Sequence, residues 1–195
     1  MIVLDSQKVC FICAPKNGTH TLYGHLGKFG GRRIGMYHES DKRLIPRSKL
    51  SFKRYKTYLV WREPVERAVS LYKDIVVREQ EKQRVVKHPD SILRHQMIAS
   101  LCPDFSKFVD FLTYSNKFND DYLFKNQTWW NAMVEPTSIV PLADLNELVA
   151  DLTGQVPQKL HSTESLKTQV VPDEDAIQKI RLNWALNDYA LLDPN

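Results

Sequence analysis

The sequence has few cysteines, and their placement argues against two kinds of site. Only three of the 195 residues are cysteine, an odd and small number that speaks against a disulfide framework. Cys10 and Cys13 form a C-x-x-C pair, but residues three apart in a strand point to opposite faces of a sheet, so this pair cannot share a metal ion. The six histidines show no metal-ligand spacing either. We therefore expect no structural disulfide and no bound metal.

Long apolar segments are also missing. No run approaches the roughly 20 residues that a membrane-spanning helix needs, and the first residues lack a cationic region followed by an apolar core and a cleavage site. We expect no membrane partner and a cytoplasmic setting. The remaining composition, with 43% hydrophobic and 26% charged residues, is typical of a globular protein. A length of 195 residues predicts one domain over residues 1–195.

Acidic residues are scarce in one part of the chain. From Lys28 to Lys56 there are ten lysines or arginines and only two acidic residues, Glu39 and Asp41. Such a run is commonly a solvated face, and the alternative is a positive field that attracts an anionic ligand. The sequence carries no zinc-finger or RNA-recognition signature, so we expect no nucleic-acid partner.

The most informative stretch lies near the start of the chain. Residues 9–14 form an unbroken apolar run that predicts a buried strand. Residues 15–18, Pro-Lys-Asn-Gly, interrupt the run, and Thr19 is the predicted N-cap of a helix. The predicted inner face of that helix consists of Leu22, Leu26 and Phe29. A strand, a tight loop and a helix start gather backbone N–H groups, and Lys16 adds a full positive charge. The stretch predicts either a site for a phosphate or sulfate ester or an ordinary turn with a surface lysine.

Strands and helices alternate along the rest of the chain, which predicts an α/β fold with a mainly parallel sheet. Further strands are predicted at residues 32–38, 57–61 and 138–142. Helices are predicted from Pro64 (with Val65, Val69, Tyr72 and Val76 inward), at 91–101, at 105–112, after Asp144 up to Gly154, and after Asp173, with a loop at 116–130. Ligands of such sheets bind at the carboxyl ends of the strands. Three polar side chains lie at the carboxyl ends of predicted strands: Lys16, His38 and Arg62.

Arg62 and Ser70 form a second candidate constellation. An arginine at a strand end offers a planar fork that suits a phosphate. Ser70 lies two turns into the following helix, about 140° from its apolar face, and by itself is typical of a surface serine. In combination with Arg62 and with the upstream loop of Lys16, it is a candidate phosphate ligand.

These residues resemble a known family. Residues 14–19, Ala-Pro-Lys-Asn-Gly-Thr, are similar to the 5′-phosphosulfate loop of sulfotransferases that use 3′-phosphoadenosine-5′-phosphosulfate (PAPS). Residues 58–72, with Arg62 and Ser70 at the expected spacing, resemble the 3′-phosphate motif of that family. Residues 139–145 and 187–189 are similar to later segments of its small carbohydrate-type members. The resemblance implies a three-layer, P-loop-like fold with helices flanking the sheet.

The resemblance also implies roles for individual residues. It implies that Arg62 and Ser70 hold the 3′-phosphate, and that a loop over residues 158–163 closes on the nucleotide, with Ser162 and Thr163 as further phosphate contacts. The residues that it implies around the 5′-phosphosulfate are Lys16, Asn17, Gly18, Thr19, His20 and Thr21. Positive charge from Lys16 and Arg62 makes a metal unnecessary in this scheme.

Two departures from the family pattern concern the chemistry. His20 stands where members usually have a hydroxyl residue. Many carbohydrate-type members carry a catalytic histidine four residues before a glutamine; here the glutamine is Gln127, but the histidine position is Leu123. We therefore expect another base: His38, which ends a strand predicted to lie next to the first, with Glu39 as the runner-up.

The sequence thus predicts an enzyme that moves a sulfuryl group from PAPS to a hydroxyl acceptor, such as a carbohydrate or another small molecule, and releases 3′-phosphoadenosine-5′-phosphate (PAP). One alternative is a protein of the same fold that binds PAPS or PAP without catalysis. A second is a small P-loop-like kinase, although the chain has no G-x-x-x-x-G-K-[ST] motif. The sequence leaves the oligomeric state open.

Overall fold

The computed structural model divides the chain into two compact units. The first comprises Met1–Arg62 and Lys125–His161, and the second comprises Glu63–Phe124 and Ser162–Asn195. The residues that the structure describes are 1–33, 53–86, 88–118, 122–131, 135–158, 163 and 165–192. Each unit is built from two separate stretches of chain. The single domain over residues 1–195 stays a prediction.

A five-stranded sheet forms the centre of the first unit. The strands are β1 (Ile2–Leu4), β2 (Val9–Cys13), β3 (Arg32–Arg33), β4 (Lys56–Trp61) and β5 (Ser138–Pro141). Their order across the sheet is β3-β1-β2-β4-β5. β2, β4 and β5 run parallel, whereas β1 is antiparallel to both of its neighbours. The predicted α/β fold with a parallel centre is confirmed, and the sheet as a whole is mixed.

The antiparallel side of the sheet corrects one prediction. Ile2–Leu4 was not predicted as a strand, because three residues are too few to show a period. It lies between β2 and β3, so the strand that begins at Arg32 is not the neighbour of β2. The expectation that this strand lies next to the first was therefore wrong. The rest of the strand predicted at residues 32–38, with His38 at its end, lies outside the described part of the chain, as does Glu39.

The helices fall into both units. In chain order they are α1 (Thr19–Leu26), α2 (Pro64–Tyr72), α3 (Arg78–Gln80), α4 (Pro89–Leu101), α5 (Phe105–Phe118), α6 (Gln127–Asn131), α7 (Leu145–Thr153), α8 (Glu174–Lys179) and α9 (Leu186–Tyr189). Within the described residues, no helix is long and apolar enough to cross a membrane.

In the first unit, α1 and α7 share one apolar core with the sheet. Leu22 and Leu26 of α1, and Leu145 and Val149 of α7, are buried there with side chains of β1, β2 and β4. The predicted inner face of α1 is thus confirmed. Gly154 ends α7 with a φ of 72°, as predicted.

The second unit is helical, and its first helix differs from the prediction. Pro64 opens α2 as expected, and the Glu63 carboxylate caps it by accepting from the Glu66 N–H at 2.9 Å. Val69, predicted inward, is only half-buried, whereas Ala68 and Leu71 are fully buried. The spacing of apolar residues does not predict which face of α2 is buried, because α2 also buries the polar residues Arg67 and Ser70.

Two stretches of the second unit widen from α-helix to π-helix. Residues Lys73–Val77 follow α2 in this form, and Ile180–Trp184 follow α8. A π-turn inserts one residue per turn and rotates all later side chains. The loop predicted at residues 116–130 was wrong in part, since α5 continues to Phe118 and α6 begins at Gln127.

Candidate functional site

The loop between β2 and α1 folds back on its own first carbonyl. The Ala14 carbonyl oxygen accepts from the Asn17 N–H at 3.1 Å and from the Thr19 hydroxyl at 3.2 Å. Lys16 has a φ of 72° and Gly18 a φ of 73°, both in the left-handed region. Thr19 is the first residue of α1 and Gly18 is its N-cap, so the predicted capping role of Thr19 was wrong. Its hydroxyl closes the loop instead.

Gly18 is required on two independent grounds. A left-handed φ is unfavourable for any residue with a Cβ. A Cβ at this position would also lie 3.0 Å from Leu142 Cδ1 and 3.3 Å from Leu145 Cδ2. The loop therefore passes close to the start of α7, and only glycine fits that approach without displacing the leucines.

Arg62 brings the second candidate motif to this loop. It follows β4 directly, and β2 and β4 run in parallel register with Cys13 opposite Val60. The Arg62 guanidinium donates from Nη1 to the Lys16 carbonyl oxygen at 3.0 Å. Both residues are half-buried. The two predicted anion-binding motifs of the first unit, 46 positions apart in sequence, thus meet at one place.

A buried glutamine holds the two motifs together. Gln127, the first residue of α6, is fully buried. Its Oε1 accepts from Asn17 Nδ2 at 2.5 Å and from the Arg62 N–H at 2.9 Å, and its Nε2 donates to the Arg62 carbonyl at 2.8 Å. The side-chain amide therefore pairs with both backbone groups of Arg62, as a neighbouring strand would.

Asn17 serves the architecture of the loop. Its Nδ2 donates to Gln127 and also to the Val60 carbonyl at 2.7 Å, and its backbone N–H is bonded to Ala14. Among the described residues, the buried Oδ1 of Asn17 has no hydrogen-bond partner. An unmet buried acceptor typically costs about 1–3 kcal/mol. The donors of Asn17 are thus committed to protein, and its contribution to the site is the shape of the loop.

The other predicted site residues are placed as follows. His20 is exposed and Thr21 is half-buried, both in the first turn of α1. Ser70 belongs to the second unit and is buried, with 8% exposure, rather than a surface serine. Thr163 is half-buried in the second unit. Ser162, His38 and Glu39 lie outside the described residues.

Sequence reasoning noted Gln127 but assigned it no role. One signal could have identified it: Gln127 is the glutamine that the family pattern places four residues after its histidine position. Leu123, which stands in the family's histidine position, packs against the apolar core of the second unit.

The chemistry of the first unit's site suits an anion. Lys16 and Arg62 are cationic, Gly18 permits close backbone approach, and the first turn of α1 presents N–H groups with the positive end of the helix dipole. Among the described residues, no group of three or more His, Cys, Asp or Glu side chains could hold a metal ion. Metal-free chemistry stays a prediction.

Comparison with protein-family models, with curated proteins and with solved structures gives no match to this chain.

Proposed function

We propose that the protein is a PAPS-dependent sulfotransferase with a P-loop-like fold, which transfers a sulfuryl group to the hydroxyl of a carbohydrate or another small molecule. The proposal rests on the resemblance of residues 14–19 and 58–72 to the two nucleotide motifs of that family. The compartment proposed for it is the cytoplasm.

The observation that carries the proposal is the hydrogen bond from Arg62 to the Lys16 carbonyl. A donor with two phosphate-type groups needs two cationic centres at a short distance from each other. The bond supports such an arrangement, because it brings the guanidinium proposed for the 3′-phosphate to the backbone of the loop proposed for the 5′-phosphosulfate. A surface lysine in an ordinary turn gives no reason for such a contact.

The residues have distinct parts in this reaction. The bound PAPS supplies an activated sulfuryl group; its bond to the phosphate oxygen breaks while a bond to the acceptor oxygen forms. Lys16, with the N–H groups at the start of α1, stabilises the charge that develops on the departing oxygen. The acceptor proton passes to a base. His38 is proposed first, Glu39 second and His20 third on the sequence alone, since the strand that begins at Arg32 does not lie next to β2.

A second candidate is a protein that binds PAPS or PAP without catalysis. The specific observation in its favour is Leu123, which occupies the family's histidine position and packs in an apolar core. A kinase is disfavoured by the missing nucleoside-triphosphate motif.

Incubation with ³⁵S-labelled PAPS and an extract of glycans, lipids and small alcohols tests the proposal. We expect labelled product and competition by PAP. Tight binding of PAP without any labelled product would favour the non-catalytic candidate, and displacement of PAP by a nucleoside triphosphate at equal concentration would favour a kinase.

A further inference from the structure

We propose that Gln127 is a positioning residue that sets the relative geometry of the two anion-binding motifs. This inference rests on the proposed function and deepens it, because it concerns how that site distinguishes PAP from nucleotides that lack the 3′-phosphate.

The bonding pattern of Gln127 is the first step. Its amide group bonds both to the backbone of Arg62, through the N–H and the carbonyl, and to the side chain of Asn17. Arg62 lies just beyond the end of β4, where ladder pairing stops: the last pair of β4 and β5 is Trp61 with Pro141. Without Gln127, the N–H and carbonyl of Arg62 would lose both partners that this amide provides.

The second step is the effect on direction. The position of the Arg62 backbone determines the direction in which its side chain extends. The guanidinium at the end of that side chain is bonded to the Lys16 carbonyl. On the other side, Gln127 holds Asn17, the residue between Lys16 and Gly18. A single buried side chain therefore holds the Arg62 backbone on one side of the Lys16–Arg62 contact and the Asn17 side chain on the other. Its neutral amide supplies a donor and an acceptor together without adding a charge beside an anion.

Gln127→Met removes the bonds to Arg62 and Asn17 while keeping a similar side-chain length. In ligand-free protein, we expect hydrogen exchange of the Arg62 amide to become at least about 10-fold faster, since a lost hydrogen bond worth about 1.4 kcal/mol corresponds to that factor. The matched control is Gln178→Met, which removes an exposed glutamine bonded to Glu174. It should leave exchange at Arg62 unchanged.

Nucleotide binding gives the readout that a merely structural role would not change. The ratio of affinities for PAP and adenosine 5′-phosphosulfate should fall by roughly 10-fold in Gln127→Met. The loss of PAP affinity caused by Arg62→Ala should also be smaller in the Gln127→Met background than in the wild type. An arginine that is no longer correctly positioned contributes less to binding, so its removal costs less affinity. Equal losses for both ligands, with additive effects of the two substitutions, would overturn the inference.

Gln127→Glu keeps the proposal testable if the methionine variant does not fold. A protonated carboxyl group has a donor and an acceptor, as the amide has, whereas a carboxylate can only accept. The affinity ratio should therefore stay near the wild-type value at low pH and fall as the pH rises, beyond the change that the wild type shows in parallel. A pH profile parallel to that of the wild type overturns the inference.

The two proposals can fail separately. If the wild type binds no PAP, the proposed function fails, and the exchange rate at Arg62 in ligand-free Gln127→Met then decides the positioning role alone. If the wild type binds PAP and Gln127→Met keeps the wild-type ratio of affinities, the positioning role fails while the proposed function stands.

Discussion

The two units of this protein bury polar side chains in opposite ways. At the loop of the first unit, the fully buried polar residues Asn17 and Gln127 are neutral amides, and the cations Lys16 and Arg62 stay half-buried. In the second unit a cation itself is enclosed. Arg67 is fully buried, with its guanidinium 4.9 Å from the ring centroid of Trp184.

The difference follows from the cost of removing a charge from water. A buried cation is tolerated only when partners replace its hydration, and the ring of Trp184 supplies part of that replacement. The guanidinium of Arg67 is therefore part of the packed interior of the second unit. The amides of Asn17 and Gln127 instead form hydrogen bonds in the interior without burying a charge, and Lys16 and Arg62 remain half-buried beside them. Two arginines of the same chain therefore have different surroundings: Arg67 is fully buried against Trp184, whereas Arg62 is half-buried at the end of β4.

The strongest test of this contrast is Lys16→Ala. If Lys16 acts on the departing oxygen, its contribution is larger in the transition state than in the ground state. We expect kcat to fall by about 10²–10³-fold, with a much smaller loss of PAP affinity. Steady-state kinetics and calorimetry measure the two effects. A variant with normal turnover would identify Lys16 as a surface residue.

The proposed base comes next. His38→Ala should lower kcat by at least about 10²-fold and leave PAP affinity nearly unchanged, because a positioned base acts on the acceptor and not on the nucleotide. Glu39→Gln is the matched comparison on the adjacent residue. If only Glu39→Gln slows turnover, the roles are exchanged; if neither does, His20→Ala is the variant to measure.

Arg62→Ala separates the role proposed for Arg62 from that proposed for Lys16. A charge-assisted hydrogen bond contributes about 1.5–3 kcal/mol, so PAP affinity should fall by roughly 10- to 150-fold. Binding of adenosine 5′-phosphosulfate, which lacks the 3′-phosphate, should change much less. Arg32→Ala, at an exposed arginine paired with Asp5, is the control and should change neither affinity. Equal losses for the two nucleotides contradict the assignment.

In the second unit, Arg67→Met should lower stability instead. The substitution keeps length but removes the stacking on Trp184 and the bond from Nη2 to the Leu123 carbonyl. We expect the free energy of unfolding to decrease by about 2 kcal/mol. Chemical denaturation measures it, with the exposed Arg181→Met as control, for which we expect a change of at most about 0.5 kcal/mol. No difference between these variants would mean that the guanidinium contacts of Arg67 contribute nothing to stability.

The smallest expected effect concerns His25, a buried histidine of the first unit. Burial, and then the charge of Lys28, lower the pKa of His25, and its Nε2 lies 3.0 Å from the Thr153 hydroxyl. The unfolded chain, with a histidine pKa near 6.5, binds the proton more readily than the folded one. Stability should therefore decrease as the pH falls below about 6.5.

The pH dependence is checked by measuring denaturation midpoints from pH 8 to pH 5. His25→Gln should flatten the acid side of the profile, whereas His88→Gln, at an exposed position, should not. A profile unchanged by His25→Gln would assign the acid sensitivity to other groups.

The parts of the fold that the sequence predicted are those with a strong local pattern. β2 and β4 are continuous apolar runs because both of their faces are buried. Leu22 and Leu26 are four residues apart because one face of the helix is buried. The boundary at Pro64 and the end at Gly154 follow from backbone chemistry of single residues. These features depend on neighbours within a few positions, and the structure confirms them.

The parts that were missed depend on distant partners. β1 becomes a strand only because β2 and β3 flank it. Ser70 looks exposed by its helical phase but is buried, since α2 is covered beyond its apolar stripe. For the candidate site, the sequence supplied Lys16 and Arg62, while the role of Gln127 could not be read from a chain in which it is 110 positions from Asn17.

That separation has a consequence for the order in which the protein is made. At about 5–20 residues per second, roughly 5 to 20 s pass between synthesis of Asn17 and synthesis of Gln127. A ribosome-bound chain can pair β2 with β4 early, because Asn17 and Val60 are only 43 positions apart. During the remaining time the loop lacks the amide that holds it, and β4 lacks the strand that covers its open edge. The contacts that close the loop and cover the edge of β4 thus become available only in the last third of translation.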